Sequence, residues 1–330
     1  MLSYHKTRNL PTILIIMVLL TLFLSGCGLA KPKVYRVGVL SGLDFVAVIT
    51  NGFKEGMADL GYVEGENIVY DIQKTPLDPA QYDQVLQKFV ADDVDLIFVF
   101  PTEAAIAAKA ATQGTDIPVL FANAFIEGFD IVDSVREPGG NITGVRYPSP
   151  DIAVKSLETL LEVAPQAKRI WLAYLDGAPT VPAQLEVLRP AAASLGVTLV
   201  EVPVTNMADL EADLQARSQA ADPGVDAIMQ IAEPVAVWPE ATAAISKFAV
   251  EHQLAFHGTT GESIINLTVD PFYMGIQAAP MADKILKGTP AGTIPVVSAD
   301  SVLTINYAAA QKLGVAVPEG LLKRADHVTR

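Results

Sequence analysis

The residues best suited to hold a small molecule stand in short loops, each directly after an apolar, strand-like run. They are Ser41, Asp44 and Phe45, then Thr102 and Glu103, then Asn123 and Phe125. Further on come Tyr174 and Asp176, Glu233 and Trp238, and Thr259 and Thr260. Tyr147 and Asp270 stand where the chain is expected to pass from one globular half to the other. Their chemistry is reversible recognition. Thr102, Thr259 and Thr260 suit a carboxylate or an amide, and Asp44, Glu233 or Asp270 suits an ammonium, so a zwitterion such as an amino acid would use both kinds. Phe45, Phe125, Tyr147, Tyr174 and Trp238 suit the apolar walls of a pocket. The bland alternative stands beside each: a polar loop residue is often only a turn or helix cap, and an aromatic is often only core.

Bond-making chemistry is not encoded in any recognisable pattern. There is no GxxxxGK[ST] or GxGxxG, hence no phosphate cradle, and neither an HExxH nor a GxSxG elbow. His252 and His257 flank an expected helix end and strand, a poor spacing for metal ligands. Asp176, Glu233, Glu262 and Asp270 show no spacing that demands a glycosidase-like carboxylate pair. No cofactor, no metal and no catalytic residue are expected, and the chain reads as a binding protein rather than an enzyme.

The elements that must position these residues alternate between strand and helix. Apolar or β-branched runs at 34–40, 67–72, 95–100 and 117–122 are separated by segments of helical periodicity at 46–60, 82–92 and about 103–112. The same rhythm restarts after Pro148, with strands at 169–175, 197–202, 225–231 and 254–258 and helices at 151–161, 182–195, 210–220 and 238–252. The run 95–100 is almost wholly apolar, as befits a strand covered on both faces of a parallel sheet. Strand and helix in this order mean an α/β fold with two doubly wound parallel sheets in tandem, whose ligands bind beyond the carboxyl ends of the strands. Between the halves, Gly139 and Gly140, a short β-branched strand and Pro148 read as a hinge, with Tyr147 at the cleft floor. Asp270 reads as a return crossing that leads a helix back to the first half.

The N-terminus reads as a targeting segment. His5, Lys6 and Arg8 precede the apolar run 13–24, which has signal-peptide length and is shorter than a membrane span. Leu24, Ser25 and Gly26 then lead to Cys27, a sequence that resembles the bacterial lipobox, so Cys27 is expected to be lipidated. It is the only cysteine, which excludes disulfides and thiolate metal clusters. The expected organisation is a signal peptide 1–26, a tether 27–33, a first lobe 34–146 plus 269–297 and a second lobe 147–268 plus 298–330. The chain carries −14, and loss of Lys6 and Arg8 with the signal peptide leaves −16. Such an acidic protein is not expected to bind nucleic acid.

Several segments are similar to those of substrate-binding lipoproteins of ABC transporters, in the family that includes tryptophan/tyrosine-binding proteins. They are Arg36 to Leu40, Leu60 to Asn67 with its Gly-Tyr-Val-Glu-Gly, Arg136 to Val145 with its Pro-Gly-Gly-Asn-Ile-Thr-Gly, Asp283 to Gly288, and Leu313 to Val315 with Pro318 and Glu319. The resemblance spans nearly the whole mature chain. It implies a type 1 periplasmic-binding-protein fold: two lobes, a hinge of three crossings, and closure on a small ligand, possible ligands being aromatic amino acids and related compounds. It further implies a monomer anchored outside the cytoplasm and partnered by an ABC permease and its ATPase. The chain departs from the family at ligand-facing positions. Asn123-Ala124-Phe125 stands where Thr-Asp-Pro is usual, Ala232-Glu233-Pro234 where Asp-Asn is frequent, and Gly258-Thr259-Thr260-Gly261 where an acidic residue is common. The scaffold therefore carries over and the aromatic specificity does not. A ligand-binding sensor lipoprotein and, further off, a cell-surface hydrolase remain as alternative readings.

Overall fold

The strand–helix alternation is present on both sides of residue 147. The computed structural model describes residues 33–43, 47–76, 78–258 and 263–330. The first half contains β1 (Tyr35–Ser41), α1 (Val48–Asp59), β2 (Ile68–Lys74), α2 (Pro79–Ala91), β3 (Leu96–Phe100), α3 (Thr102–Ala111), β4 (Val119–Ala124) and β5 (Ile142–Arg146). The second contains α4 (Ser149–Val163), β6 (Arg169–Leu175), α5 (Val181–Ser194), β7 (Thr198–Val204), α6 (Met207–Gln219), β8 (Ala227–Met229), α7 (Pro239–His252), β9 (Ala255–His257) and β10 (Ile265–Val269). The chain closes with α8 (Pro271–Leu286), β11 (Val297–Ser298), β12 (Ser301–Asn306), α9 (Tyr307–Lys312), α10 (Glu319–Arg324) and β13 (His327–Thr329).

These strands form two sheets, β2-β1-β3-β4-β5-β11 and β7-β6-β8-β9-β10-β12-β13. All pairs are parallel except β10 with β12. The first five strands of each sheet follow the same doubly wound order, with the reversal between β1 and β3 in one lobe and between β6 and β8 in the other. Each reversal leaves a crevice at the carboxyl ends of the strands. Buried apolar clusters cover both faces of both sheets. Phe53, Phe98 and Met57 lie on one face of the first sheet and Leu86, Phe89 and Phe121 on the other. Leu160, Leu172 and Leu188 lie on one face of the second sheet and Trp171, Phe248 and Phe256 on the other.

The chain passes between the sheets three times: at Tyr147–Pro148, at Asp270, and at Ala299–Asp300. The passages share one buried apolar knot. Val145, Ile152, Val269 and Ala299 are each at most 5 % exposed and join the core of the first lobe, with Tyr147 and Leu267 packed against it. Two expectations about this region change. Gly139 and Gly140 are not hinge residues, because they precede β5 at the end of the sheet remote from the passages, where the Gly139 amide donates to the Gly292 carbonyl (3.1 Å). Gly144 lies inside β5 between β4 and β11, and a Cβ there would come within 2.2 Å of the Phe121 carbonyl oxygen. The short strand expected in the hinge is therefore an inner strand of the first sheet, with no room for a side chain at Gly144.

Helix α8 returns to the first lobe and crosses α1 at a spacing that only glycine allows. A Cβ on Gly52 would lie 1.9 Å from the Phe272 carbonyl oxygen, and one on Gly275 would lie 2.2 Å from that of Ile49. One turn further along α1, a Cβ on Gly56 would lie 2.7 Å from the Ala279 methyl. This helix pair fixes the passage at Asp270, whose carboxylate accepts from the Phe272 amide (2.8 Å) and caps α8.

Candidate functional site

The crevice of the first lobe is built from strand ends. Ser41 closes β1 and is 2 % exposed, with its hydroxyl unpartnered. Thr102 opens α3 after β3, and its hydroxyl accepts from the Phe125 amide (3.0 Å), which pins the loop after β4. Asn123, half-buried near the end of β4, sits at φ 50° where the register with β5 shifts. Left-handed backbone at a non-glycine residue costs energy and concentrates at functional sites. The Phe125 and Tyr147 rings lie 5.1 Å apart at 49°, making an aromatic wall beside the first passage. The Tyr147 hydroxyl is 3.4 Å from Thr268 Oγ1 of β10, and burial raises its pKa. The structure thus brings Ser41, Thr102, Asn123, Phe125 and Tyr147 to one end of the first sheet and its passage. Glu103 shares that end, exposed in the first turn of α3.

The second lobe treats its expected site residues differently. Glu233 is 7 % exposed, and both its oxygens are engaged: Oε2 accepts from the Leu175 amide (2.9 Å) and Oε1 from the Ala236 amide (3.0 Å). Burial raises its pKa, and the backbone donors oppose that shift. Glu233 thus ties the end of β6 to the turn after β8. Gln184 of α5 makes a second tie. Its side-chain carbonyl accepts from the Ala232 amide (3.1 Å), and its amide donates to the carbonyls of Ala232 (2.9 Å) and Thr180 (2.8 Å). Tyr174 donates to Glu201 (3.0 Å), itself paired with Arg189, whose hydrogen bonds hold the Glu201 carboxyl below its ordinary range. Asp176 is exposed, and Trp238 packs half-buried on the lobe core where α7 begins. Asp270 is the cap of α8 already described. Asp44, Phe45, Thr259, Thr260 and Cys27 lie outside the described residues.

Residues that no local pattern announced also gather here. The Arg146 guanidinium at the end of β5 contacts Glu127 of the loop after β4, Asp151 of α4 (2.9 Å) and Ser298 of β11 (2.9 Å). One side chain thus links the first passage, the third passage and the second lobe. The two lobes also meet at Gly128, where a Cβ would lie 3.1 Å from the Pro179 carbonyl oxygen. Among the described residues, no cluster of three or more His, Cys, Asp or Glu is placed to hold a metal, and no helix is long and apolar enough to cross a membrane. A surface cavity of about 950 Å³ lies at the remote end of the first lobe, beside Thr112, Asn141 and Gly288. It is larger than the 460 Å³ hollow beside Tyr174 and Arg189, yet its Asn141 and Thr112 side chains are already hydrogen-bonded to each other. The strand-end crevice, with unpartnered hydroxyls and an aromatic wall, is the better site.

Comparison with known proteins agrees with the two-lobed fold. The family model described as ABC transporter substrate binding protein matches residues 37–329. A tyrosine-binding protein of Clostridioides difficile is 28 % identical over 260 residues, covering 76 % of this chain and 71 % of the relative. Among solved structures, the ligand-free, open form of a substrate binding protein with adhesive properties from Clostridium difficile superposes with a TM-score of 0.77 at 25 % identity, covering 90 % of this chain and 99 % of that one. A conserved domain protein from Vibrio cholerae gives a TM-score of 0.71 at 26 % identity, covering 90 % of this chain and all of that one.

Proposed function

Because the chain belongs to the ABC transporter substrate-binding protein family, we propose that it is a lipid-anchored, monomeric receptor outside the cytoplasm that hands a small solute to an importer's permease and ATPase. The observation that carries this reading is the pair of equally ordered sheets joined by three passages, with a crevice at the strand ends of each. Closure of such lobes on a solute is the two-state change a permease can read. The proposed lobes are 34–146 plus 269–297 and 147–268 plus 298–330, although Val269 pairs with β12 of the second sheet and Ser298 with β5 of the first. Thr102, Asn123, Phe125 and Tyr147 face the solute from the first lobe. Glu233, Tyr174 and Asp270 serve the scaffold, because their polar atoms are engaged within it. Amino acids come first as solutes, aromatic ones in particular, in line with the name of the tyrosine-binding relative. Lipidation at Cys27 supplies the anchor.

A thermal-shift screen over amino acids, nucleosides, purines and sugars tests the receptor reading. A solute present at a hundred times its Kd stabilises the folded protein by about 2.7 kcal/mol, several degrees in midpoint. One chemical class is expected to give that shift, and Cys27→Ala to move the protein from the membrane to the soluble fraction. A screen in which no class shifts the midpoint contradicts the receptor reading, and a variant that stays in the membrane fraction contradicts the anchor.

A further inference from the structure

We propose that the Arg146 guanidinium is a two-position latch that sets the angle between the lobes. In one position it is shared with Asp151 of the second lobe, and in the other it is held two-pronged by Glu127 within the first lobe. The proposal rests on the solute-receptor reading and adds the positioning residue that sets how readily the lobes move.

One cation here serves two carboxylates on opposite sides of a passage. Arg146 ends β5, where its backbone pairs with β4 and β11, so it moves with the first lobe. Its Nε donates to Ser298 Oγ (2.9 Å), and the Ala299 amide donates to its carbonyl (3.0 Å). Glu127 also belongs to the first lobe, because its neighbour Ile126 is buried in that lobe's core. Asp151 stands in the first turn of α4, only five residues from Arg146 but beyond the passage at Tyr147–Pro148. Any rotation at that passage therefore moves Asp151 against a guanidinium that stays with β5.

The hydrogen bonds carry the mark of the second position. The guanidinium gives one nitrogen to each carboxylate: Nη1 donates to Glu127 Oε1, and Nη2 donates to Asp151 Oδ2 (2.9 Å). Glu127 Oε2 is buried and has no partner among the described residues. Buried polar atoms are nearly always paired, so this oxygen asks for a donor. Nη2 of the same guanidinium is the donor that a two-pronged arginine–carboxylate pair brings to it. Asp151 can release Nη2 at little cost, because its side chain is 59 % exposed and water takes the place of the nitrogen. The Arg146 side chain is only 13 % exposed and must keep a carboxylate. Each position is thus a complete arrangement: one bridges the passage, and the other lies wholly within the first lobe. A few-fold preference between them is enough to matter, since apparent affinity scales with the fraction of protein in the solute-competent arrangement.

Asp151→Asn removes the position that bridges the passage, and Glu127→Gln removes the two-pronged one, so the two should act in opposite senses. Small-angle X-ray scattering of the full chain without solute is expected to show the radius of gyration rising in one variant and falling in the other. Calorimetric titration with L-tyrosine is expected to show one variant binding at least threefold more tightly than the native protein and the other at least threefold more weakly. In an Arg146→Gln background neither substitution should move the radius or the affinity further, which separates the latch from a direct contact of Glu127 with the solute. Radii that stay unchanged, or that shift in the same sense, overturn the latch. If L-tyrosine binds the native protein while both radii hold, the latch falls and the receptor reading stands. If the radii part but no amino acid binds, the latch stands and the amino-acid reading falls.

Discussion

Gly52→Val is expected to lower the thermal midpoint by about 10 °C or more, the cost of overpacking a backbone-to-backbone contact with no flexible side chain to yield. Helix propensity is inverted at this contact. In an exposed helix interior, replacing glycine by alanine gains about 0.5–1 kcal/mol. Gly320, exposed in the first turn of the six-residue α10 with no atom within 4 Å of its built Cβ, should accept Gly320→Ala without loss. At Gly52 the added carbon would stand 1.9 Å from the Phe272 carbonyl oxygen, so the helices must separate. Gly52→Ala should therefore destabilise even though alanine is the better helix former. The contacts predict a graded series: Gly52 worst, Gly275 next, and Gly56 mildest, because its nearest neighbour is the Ala279 methyl and the Ile276 backbone stands no nearer than 3.3 Å. The consequence extends past stability, since α8 sets the passage at Asp270 on which coupled lobe motion depends. Thermal denaturation of the alanine variants at 52, 275, 56 and 320, with Gly52→Val beside them, checks the order, and a Gly52→Ala midpoint at or above that of the native protein would refute the helix contact.

His257 should make stability depend on pH. It ends β9 at 4 % exposure, with neither ring nitrogen partnered among the described residues, and burial pushes its pKa from 6.5 down to about 4. Its folded pKa is depressed. Above pH 6.5 the ring is neutral in both states and no stability is lost. As pH falls below 6.5 the unfolded chain takes up a proton that the folded chain refuses until about pH 4. Stability then drops by roughly 1.4 kcal/mol per unit, about 2 kcal/mol between pH 6.5 and 5. Glu233 works in the opposite sense, because burial raises its folded pKa and so favours the fold as acid is added. The contrast between the native protein and His257→Leu isolates the histidine. Urea denaturation should show the native stability falling across that range while the variant falls by about 2 kcal/mol less. Parallel profiles would mean that the ring is solvated or paired.

Much of the fold was legible because the relevant signals are local. The run 95–100 is apolar at nearly every position, and 169–175 was bounded to the residue, as buried parallel strands allow. Helix starts were read late where a proline opens the helix: periodicity begins at Tyr82, but Pro79 behind the Asp78 cap already belongs to α2. The expected strand 225–231 is only Ala227–Met229; Gln230 still donates to the His257 carbonyl (3.0 Å), and two residues on Gln184 takes up the backbone groups of Ala232. Strand β13, exposed along its length, has no apolar alternation to betray it.

The site was less legible because its decisive contacts are tertiary. Glu233 follows a buried strand as a ligand residue would, yet both its oxygens serve backbone amides. Arg146 meets Ser298 across 152 residues, and no spacing rule reaches that far. Gly139 and Gly140 read as part of a hinge, but they stand at the wrong end of β5 to act as one.

The central claim is that two lobes close on a small solute around three passages. Small-angle X-ray scattering of the full chain, with and without the solute that gives the largest thermal shift, tests it most directly. The account predicts a smaller radius of gyration and a narrower distance distribution on addition of solute, with no change of mass. A solute that binds and stabilises the protein while leaving the scattering curve unchanged would contradict it.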